Sequence, residues 1–331
     1  MTKEEEENTA ITQNRRLLSI DVFKGLTILL MVFLNTFHPY DDVPAWSKHA
    51  GEYGLTYVDL VAPFFVFMLA LNMKISYKRR VEKFGKKKAA FRFIRRFLIF
   101  IAIGLVLTIY IDYDGFYFRW GTLQVLGFSG LMVLPLLELK PFVKLTFAIV
   151  LMVLHQLILL TPASVIIYDS VEGGLLAVLS WGSMMILSSF LAEGLGKGKE
   201  CVKHYFLYGG LICLLIGIGT GFFWGVSRSY ISLPYILISV GIASVLYYLL
   251  SFIFEEWRTN YNFVKNEKIF SVVGKNAFIF YLIHMLIAYT IYSIFPFDTP
   301  SIILFPLAIV HTVFIWLLAY FMNKLEIYIV I

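Results

Sequence analysis

The sequence predicts an all-α integral membrane protein, a polytopic bundle of about ten transmembrane helices with both termini on the cytosolic side. Three observations predict it. Of 331 residues, 59% are hydrophobic and only 15% are charged, against about 25% charged in soluble domains. The mean hydropathy is +0.78. The Lys and Arg residues fall in alternate loops, as the positive-inside rule requires.

Crossing hydrocarbon takes about 20 apolar residues in a helix, because the segment must satisfy its own backbone polar groups. Ten runs qualify: 17–37, 55–77, 91–111, 120–139, 142–161, 172–193, 204–226, 231–254, 269–294 and 301–322. Between the fourth and fifth only Leu139, Lys140 and Pro141 intervene, so nine or eleven spans stay open. Placing the N-terminus inside tests the count. Inner segments then collect three basic residues in the tail, eleven from Lys74 to Arg96, Lys140 and Lys144, three in 194–203, three in 255–268, and Lys324. Lys24 and Lys275 lie near the inner ends of their spans, and the outer loops receive only Lys48, Arg119 and Arg228.

This alternation accounts for the formal charge of +6 as topology, so no nucleic-acid partner is expected. Residues 1–16 are polar, with Glu4 to Glu7 consecutive, and read as a disordered cytosolic tail. Residues 17–331 read as one membrane domain in the plasma (cytoplasmic) membrane, with the lipid bilayer as solvent. Cys201 and Cys213 are the only cysteines, so neither a disulfide framework nor a metal site is expected. A homodimer is left open.

Function is sought where polar groups are expensive, since a charge at the centre of a span costs about 3 kcal/mol. On the first span Asp21 and Lys24 stand at i, i+3 and suit a structural ion pair, while Asn35 closes its outer end. The outward loop 37–54 carries His38, Asp41, Asp42, Trp46, Lys48, His49 and Glu52. Asp59 opens the second span, where a carboxylate suits a helix N-terminus and is also near enough in sequence to hold the His49 imidazole. Arg119 and Gln124 open the fourth span; the arginine has the alternative of snorkelling to the interface. In the ninth run Gly274, Tyr281 and His284 fall within an arc of about 80° at 100° per residue, with Lys275 and Asn276 adjacent. A buried, hydrogen-bonded histidine closing a helix contact explains His284 equally well. His38, His155, His204 and His311 are read as structural.

These patches resemble the heparan-alpha-glucosaminide N-acetyltransferase family. The resemblance is specific over residues 16–35 (RLLSIDVFKGLTILLMVFLN), Lys48-His49-Ala50 and residues 54–67 (GLTYVDLVAPFFVF). Two shorter patches agree: residues 119–124 (RWGTLQ), similar to an R-x-G-V-L-Q motif, and Gly274, Asn276, Tyr281 and His284 in a G-x-N-x4-Y-x2-H helix. The resemblance implies transfer of an acetyl group from cytosolic acetyl-CoA to an amino sugar or related glycan across the membrane. It also implies that His49 is catalytic and Asn35 assists. Asp59, Arg119, Gln124, Asn276, Tyr281 and His284 are then the supporting or substrate-binding candidates. The chain departs from the family at Lys24, where Arg is usual, at Glu52-Tyr53, which replace Trp-Asn, at Ala70 in place of Gly, and at Val125 after Gln124. Glu52-Tyr53 lie beside His49, so the acceptor's identity is what they put in question.

An amine must lose a proton as it attacks a thioester, and a histidine with an unperturbed pKa of about 6.5 can take it at ambient pH. His49 is the expected general base, with Asn35, Arg119 or Gln124 as donors to the oxyanion. An acetyl-histidine intermediate is the rival route. The basic segment from Lys74 to Arg96 also suits the phosphates of CoA. Two other readings stand beside this one. An acyltransferase-3-like O-acyltransferase of envelope glycans shares the late Tyr281–His284 pattern, but its histidine ends the first span, where this chain has Asn35. A secondary transporter of sugars or lipid precursors would use Asp21, Asp59, Gln124 and His284 as its pathway.

Overall fold

Hydrocarbon offers no partner to a bare peptide group, so the apolar runs fold as helices. The computed structural model describes residues 17–112, 115–256, 264 and 267–329; the expected tail at 1–16 lies outside the described residues. In chain order the elements are α1 (Leu18–Phe37), α2 (Val61–Phe84, entered through a 3-10 turn at Tyr57–Leu60) and α3 (Lys86–Leu107). A short antiparallel hairpin follows, β1 (Ile109–Asp112) and β2 (Gly115–Phe118), in the register Ile109 to Phe118. The remainder is α4 (Thr122–Val133), α5 (Pro141–Leu159), α6 (Ala163–Asp169), α7 (Val178–Leu191), α8 (Lys199–Trp224), α9 (Leu233–Glu256), α10 (Ser271–Lys275), α11 (Ala277–Ile294) and α12 (Ser301–Lys324).

Seven of these helices among the described residues are long and apolar enough to cross a membrane: α1, α2 with its entry turn, α5, α8, α9, α11 and α12. The other three expected runs also carry helices but differ in kind. In α3 the first half holds Lys86, Lys87, Lys88, Arg92, Arg95 and Arg96, and the end of the expected run is strand β1. In α7 there are 14 residues, about 21 Å of helix against a hydrocarbon core of about 30 Å. Its expected start at residue 172 is irregular, because Glu172, Gly173 and Gly174 all take positive φ (52°, 74° and 64°). In α4 the helix ends in a 3-10 turn at Leu134–Leu136, and Pro141 at the first turn of α5 fixes the boundary between the two.

The ninth run is interrupted at Asn276 (φ −122°, ψ 30°). Gly274 therefore belongs to α10, whereas Tyr281 and His284 belong to α11, and the arc expected to join all three is not one helical face. On α8, Phe222 and Phe223 are each 85% exposed, as lipid-facing residues are.

The chain forms two compact units. The first comprises residues 51–55 and 62–245, in which α3 packs on α4, and both α4 and α5 pack on α7. Among its buried charges, Glu193 accepts from Lys74 Nζ at 2.5 Å and from the wholly buried Lys144 Nζ at 2.6 Å. The second unit comprises residues 17–50, 56–61 and 246–329, with α1 packed against α10, α11 and α12. Here α1 and α10 cross with almost no room between them. A Cβ on Gly274 would stand 1.9 Å from the Asp21 carbonyl oxygen, and one on Gly25 would stand 1.8 Å from that of Phe270. Small residues permit this approach. The same unit has a core of its own at the end of α1, in which Leu34 and Phe37 meet Tyr40, Val43, Val58, Ile291, Leu304 and Ala308.

Candidate functional site

The second unit holds a histidine oriented by a buried carboxylate. Thr56-x-x-Asp59 is a capping-box spacing, and it closes the 3-10 turn that leads into α2. The Thr56 amide donates to Asp59 Oδ2 at 2.8 Å, the Ala50 amide donates to the same oxygen at 3.2 Å, and the Thr56 hydroxyl lies 3.1 Å from it. That hydroxyl is also 2.8 Å from the Lys48 carbonyl, tying the loop before His49 to the turn after it. Oδ1 remains for His49, whose Nδ1 is 2.7 Å away.

The tautomer follows from the acceptor. A carboxylate can only accept, so Nδ1 carries the hydrogen and Nε2 of the neutral ring is a lone-pair acceptor. Asp59 is wholly buried, whereas the His49 side chain is 34% exposed. The arrangement is a proton acceptor in partial contact with solvent, backed by a fixed charge. Through this turn the local backbone determines the imidazole's direction, with Val58 anchoring it in the core at the end of α1.

A second set of contacts lies at the end of α1. The His38 ring stands edge-on to His49, with centroids 5.1 Å apart. Asn35 precedes His38 by three residues and so shares its helical face. The Asn35 amide nitrogen meets His284 Nε2 at 3.2 Å, and the Tyr281 carbonyl meets His284 Nδ1 at 2.5 Å. A carbonyl only accepts, so His284 carries its hydrogen on Nδ1 and takes one from Asn35 on Nε2. The second N–H of Asn35 and its amide oxygen remain. The Tyr292 hydroxyl donates to the Asn35 backbone carbonyl. Beside it, the Thr36 hydroxyl donates to Val32 at 2.7 Å and accepts from His311 Nδ1 at 2.9 Å, and the His311 ring stacks on His284 with centroids 6.4 Å apart.

The sequence-derived candidates thus separate. His49, Asp59, Asn35, Tyr281 and His284 all belong to this unit. Asn276 does too, but it holds residues 327–329: its amide donates to the Ile327 carbonyl at 2.8 Å and its oxygen accepts from the Ile329 amide at 2.9 Å. Lys24 Nζ lies 3.6 Å from Asp21 Oδ1, beside the tight crossing of α1 and α10. Arg119 and Gln124 belong to the first unit. There Gln124 is wholly buried, and its amide nitrogen donates to Thr108 Oγ1 at 2.9 Å and to the Arg119 carbonyl at 3.3 Å. Both of its N–H hydrogens are engaged.

Sequence reasoning did not pick out Thr56, His38, Thr36, Tyr292 or His311 as neighbours of these groups. The capping-box spacing would have pointed to Thr56, and the i, i+3 step from Asn35 would have pointed to His38. His311 stands alone on α12 and gave no such signal. Among the described residues no group of three or more His, Cys, Asp or Glu side chains could hold a metal ion.

Several apolar helices make this a multi-pass membrane protein, and it carries a carboxylate-backed histidine in a loop. The family model described as heparan-alpha-glucosaminide N-acetyltransferase, catalytic, matches residues 16–286, and the chain belongs to that transmembrane acyltransferase family. Two curated relatives, the heparan-alpha-glucosaminide N-acetyltransferases of Mus musculus and Homo sapiens, are each 34% identical over 95 residues. Those residues are 28% of this chain and 14% of each relative's length.

Proposed function

We propose that this protein transfers an acetyl group from cytosolic acetyl-CoA to the amine of an amino sugar on the extracytoplasmic side of the membrane, with His49 as general base. The observation that carries the reading is the 2.7 Å bond from His49 Nδ1 to Asp59, which presents Nε2 as the free acceptor. Family membership supplies the reaction class. The alternation of basic loops supports ten crossings, an inner N-terminus and an outward His49.

In this reading the amine nitrogen attacks the thioester carbonyl while His49 Nε2 takes the N–H proton. Asp59 stabilises the imidazolium that forms. Collapse of the tetrahedral intermediate breaks the C–S bond, and the imidazolium returns its proton to the leaving thiolate. The Asn35 amide retains an N–H for the oxyanion, and His284 keeps that amide from rotating. General-base action of this kind contributes about 10²–10⁴-fold.

The test is label transfer from acetyl-CoA to a panel of amino sugars by the purified protein. N-acetylated product supports the reading, and its yield should collapse in Asn35→Ala and His49→Ala. Specific acetyl-CoA binding without transfer to any amine or hydroxyl acceptor would contradict it. Accumulation of sugar by vesicles without acetyl-CoA would identify a transporter instead.

A further inference from the structure

The first unit carries a tyrosine cluster that the reaction scheme does not use. Tyr53 follows His49 by four residues in sequence, Tyr168 lies on α6, and Tyr230 lies in the loop between α8 and α9. Tyr230 stands in the middle of the row: its centroid is 5.9 Å from that of Tyr53 and 5.2 Å from that of Tyr168, and both pairs are tilted by 38°. The two outer rings are 57% and 44% exposed. The Tyr230 hydroxyl donates to Glu52 Oε1 at 3.0 Å. Burial and then Glu52 push that hydroxyl's pKa up to about 12, so it keeps its proton and remains a donor to the carboxylate at neutral pH.

Tyrosines are common at membrane interfaces as simple anchors, and such anchors need no fixed geometry. These rings are fixed. The Gly54 amide donates to the Val226 carbonyl at 2.8 Å, and the Ser227 hydroxyl donates to the Glu52 carbonyl at 2.5 Å. Ser227 Oγ also accepts from the Tyr230 amide at 3.2 Å, so one serine joins both tyrosine-bearing segments. Gly225 has φ 71°, and a Cβ there would lie 2.6 Å from the Tyr53 ring; only glycine leaves the ring its place. On the Tyr168 side, the buried Glu172 carboxylate accepts from Arg228 at 2.8 Å, and its backbone carbonyl accepts from the Trp181 indole N–H at 3.1 Å. Two loops and a helix are thereby locked so that three rings and one carboxylate form a row.

We propose that Tyr53, Tyr168, Tyr230 and Glu52 form the docking platform for an amino-sugar glycan, the rings receiving the apolar faces of the sugar units and Glu52 the ammonium or a hydroxyl. This rests on the acceptor reading above and names the residues that select it. Exposed aromatic faces attract an ammonium group as well as apolar surface. The adjacent carboxylate favours a cationic sugar over its neutral acetylated product, which gives the platform a reason to release what the reaction makes.

The experiment measures binding of glucosamine, its β-1,4-linked disaccharide and N-acetylglucosamine to the full-length protein in lipid nanodiscs without acetyl-CoA. Tyr53→Leu, which keeps apolar bulk over Gly225, and Tyr168→Ala should each weaken the disaccharide about tenfold, the scale of one aromatic contact to a cation. Glu52→Gln should weaken glucosamine while leaving N-acetylglucosamine unchanged. With acetyl-CoA present, the same variants should raise KM and leave kcat within twofold. Undetectable sugar binding by the native protein, or native affinity in both tyrosine variants, would overturn the platform. Tyrosine-dependent binding without any acetyl transfer would keep the platform and remove the reaction assigned above. Transfer with unchanged KM in both variants would do the reverse.

Discussion

Asp59→Asn tests the orientation of the base more sharply than removal of the base itself. The asparagine carbonyl can still accept from Thr56 and Ala50, so the turn at Tyr57–Leu60 has reason to persist. Its NH₂ group then faces His49 Nδ1 at the position of a 2.7 Å bond. A donor facing Nδ1 reverses the imidazole's tautomer, placing the hydrogen on Nε2, where it blocks the base. The lost bond to a charged, wholly buried acceptor has a net worth of about 1.5–3 kcal/mol. At about 1.4 kcal/mol per decade that alone is a 10–10²-fold loss of rate, and tautomer reversal in a comparable dyad extends it to about 10⁴. The assay is release of CoA thiol with glucosamine as acceptor, followed across pH. We expect kcat to fall 10²–10⁴-fold with KM little changed. A variant that keeps native secondary structure and acts within threefold of the native rate would refute the reasoning.

Thr56→Val removes one hydroxyl bond that ties the Lys48 carbonyl to the Asp59 turn. The expected loss is about 1 kcal/mol, read as a five- to tenfold fall in kcat, with no change in sugar binding. Gly274→Val adds side-chain atoms where even a Cβ would stand 1.9 Å from the Asp21 carbonyl oxygen. Overpacking of this kind costs about 1–3 kcal/mol, so thermal unfolding in detergent should begin several degrees lower. Trp46 is 64% exposed in the His49 loop. In Trp46→Cys the new thiol should react with a membrane-impermeant maleimide on intact cells, whereas Cys201 should react only after permeabilisation.

Much of the fold was legible because lipid reduces structure to one requirement, an apolar run long enough to satisfy its own backbone. That requirement located the long helices but neither their interruptions nor the short α6. Asn276 breaks the ninth run without a proline, and Glu172, with two following glycines, bends the chain before α7; neither changes the apolar count enough to be read. Composition also does not register that α7 is only 14 residues long or that half of α3 is basic. At the site, His49 and Asp59 could be paired from the sequence because they are ten residues apart on a loop and the turn that follows it. Asn35 could be placed near them by membrane level, but its bond to His284 spans 249 positions. Contacts of that kind depend on which helix faces pack, and a uniformly apolar helix gives little sign of which face that is. His311 is the clearest case: its partner Thr36 lies 275 positions away, and the adjacent Thr312 is the nearest polar residue in its own apolar stretch, too little to suggest a site.

The central claim is that His49 carries the acyl-transfer chemistry. The most direct measurement is transfer of labelled acetyl from acetyl-CoA to glucosamine by native and His49→Ala protein, matched for folding by their thermal transitions. The account predicts N-acetylglucosamine from the native protein and a loss of about 10²–10⁴-fold in the variant with acetyl-CoA binding retained. A folded His49→Ala protein that acetylates glucosamine within a few-fold of the native rate would contradict it.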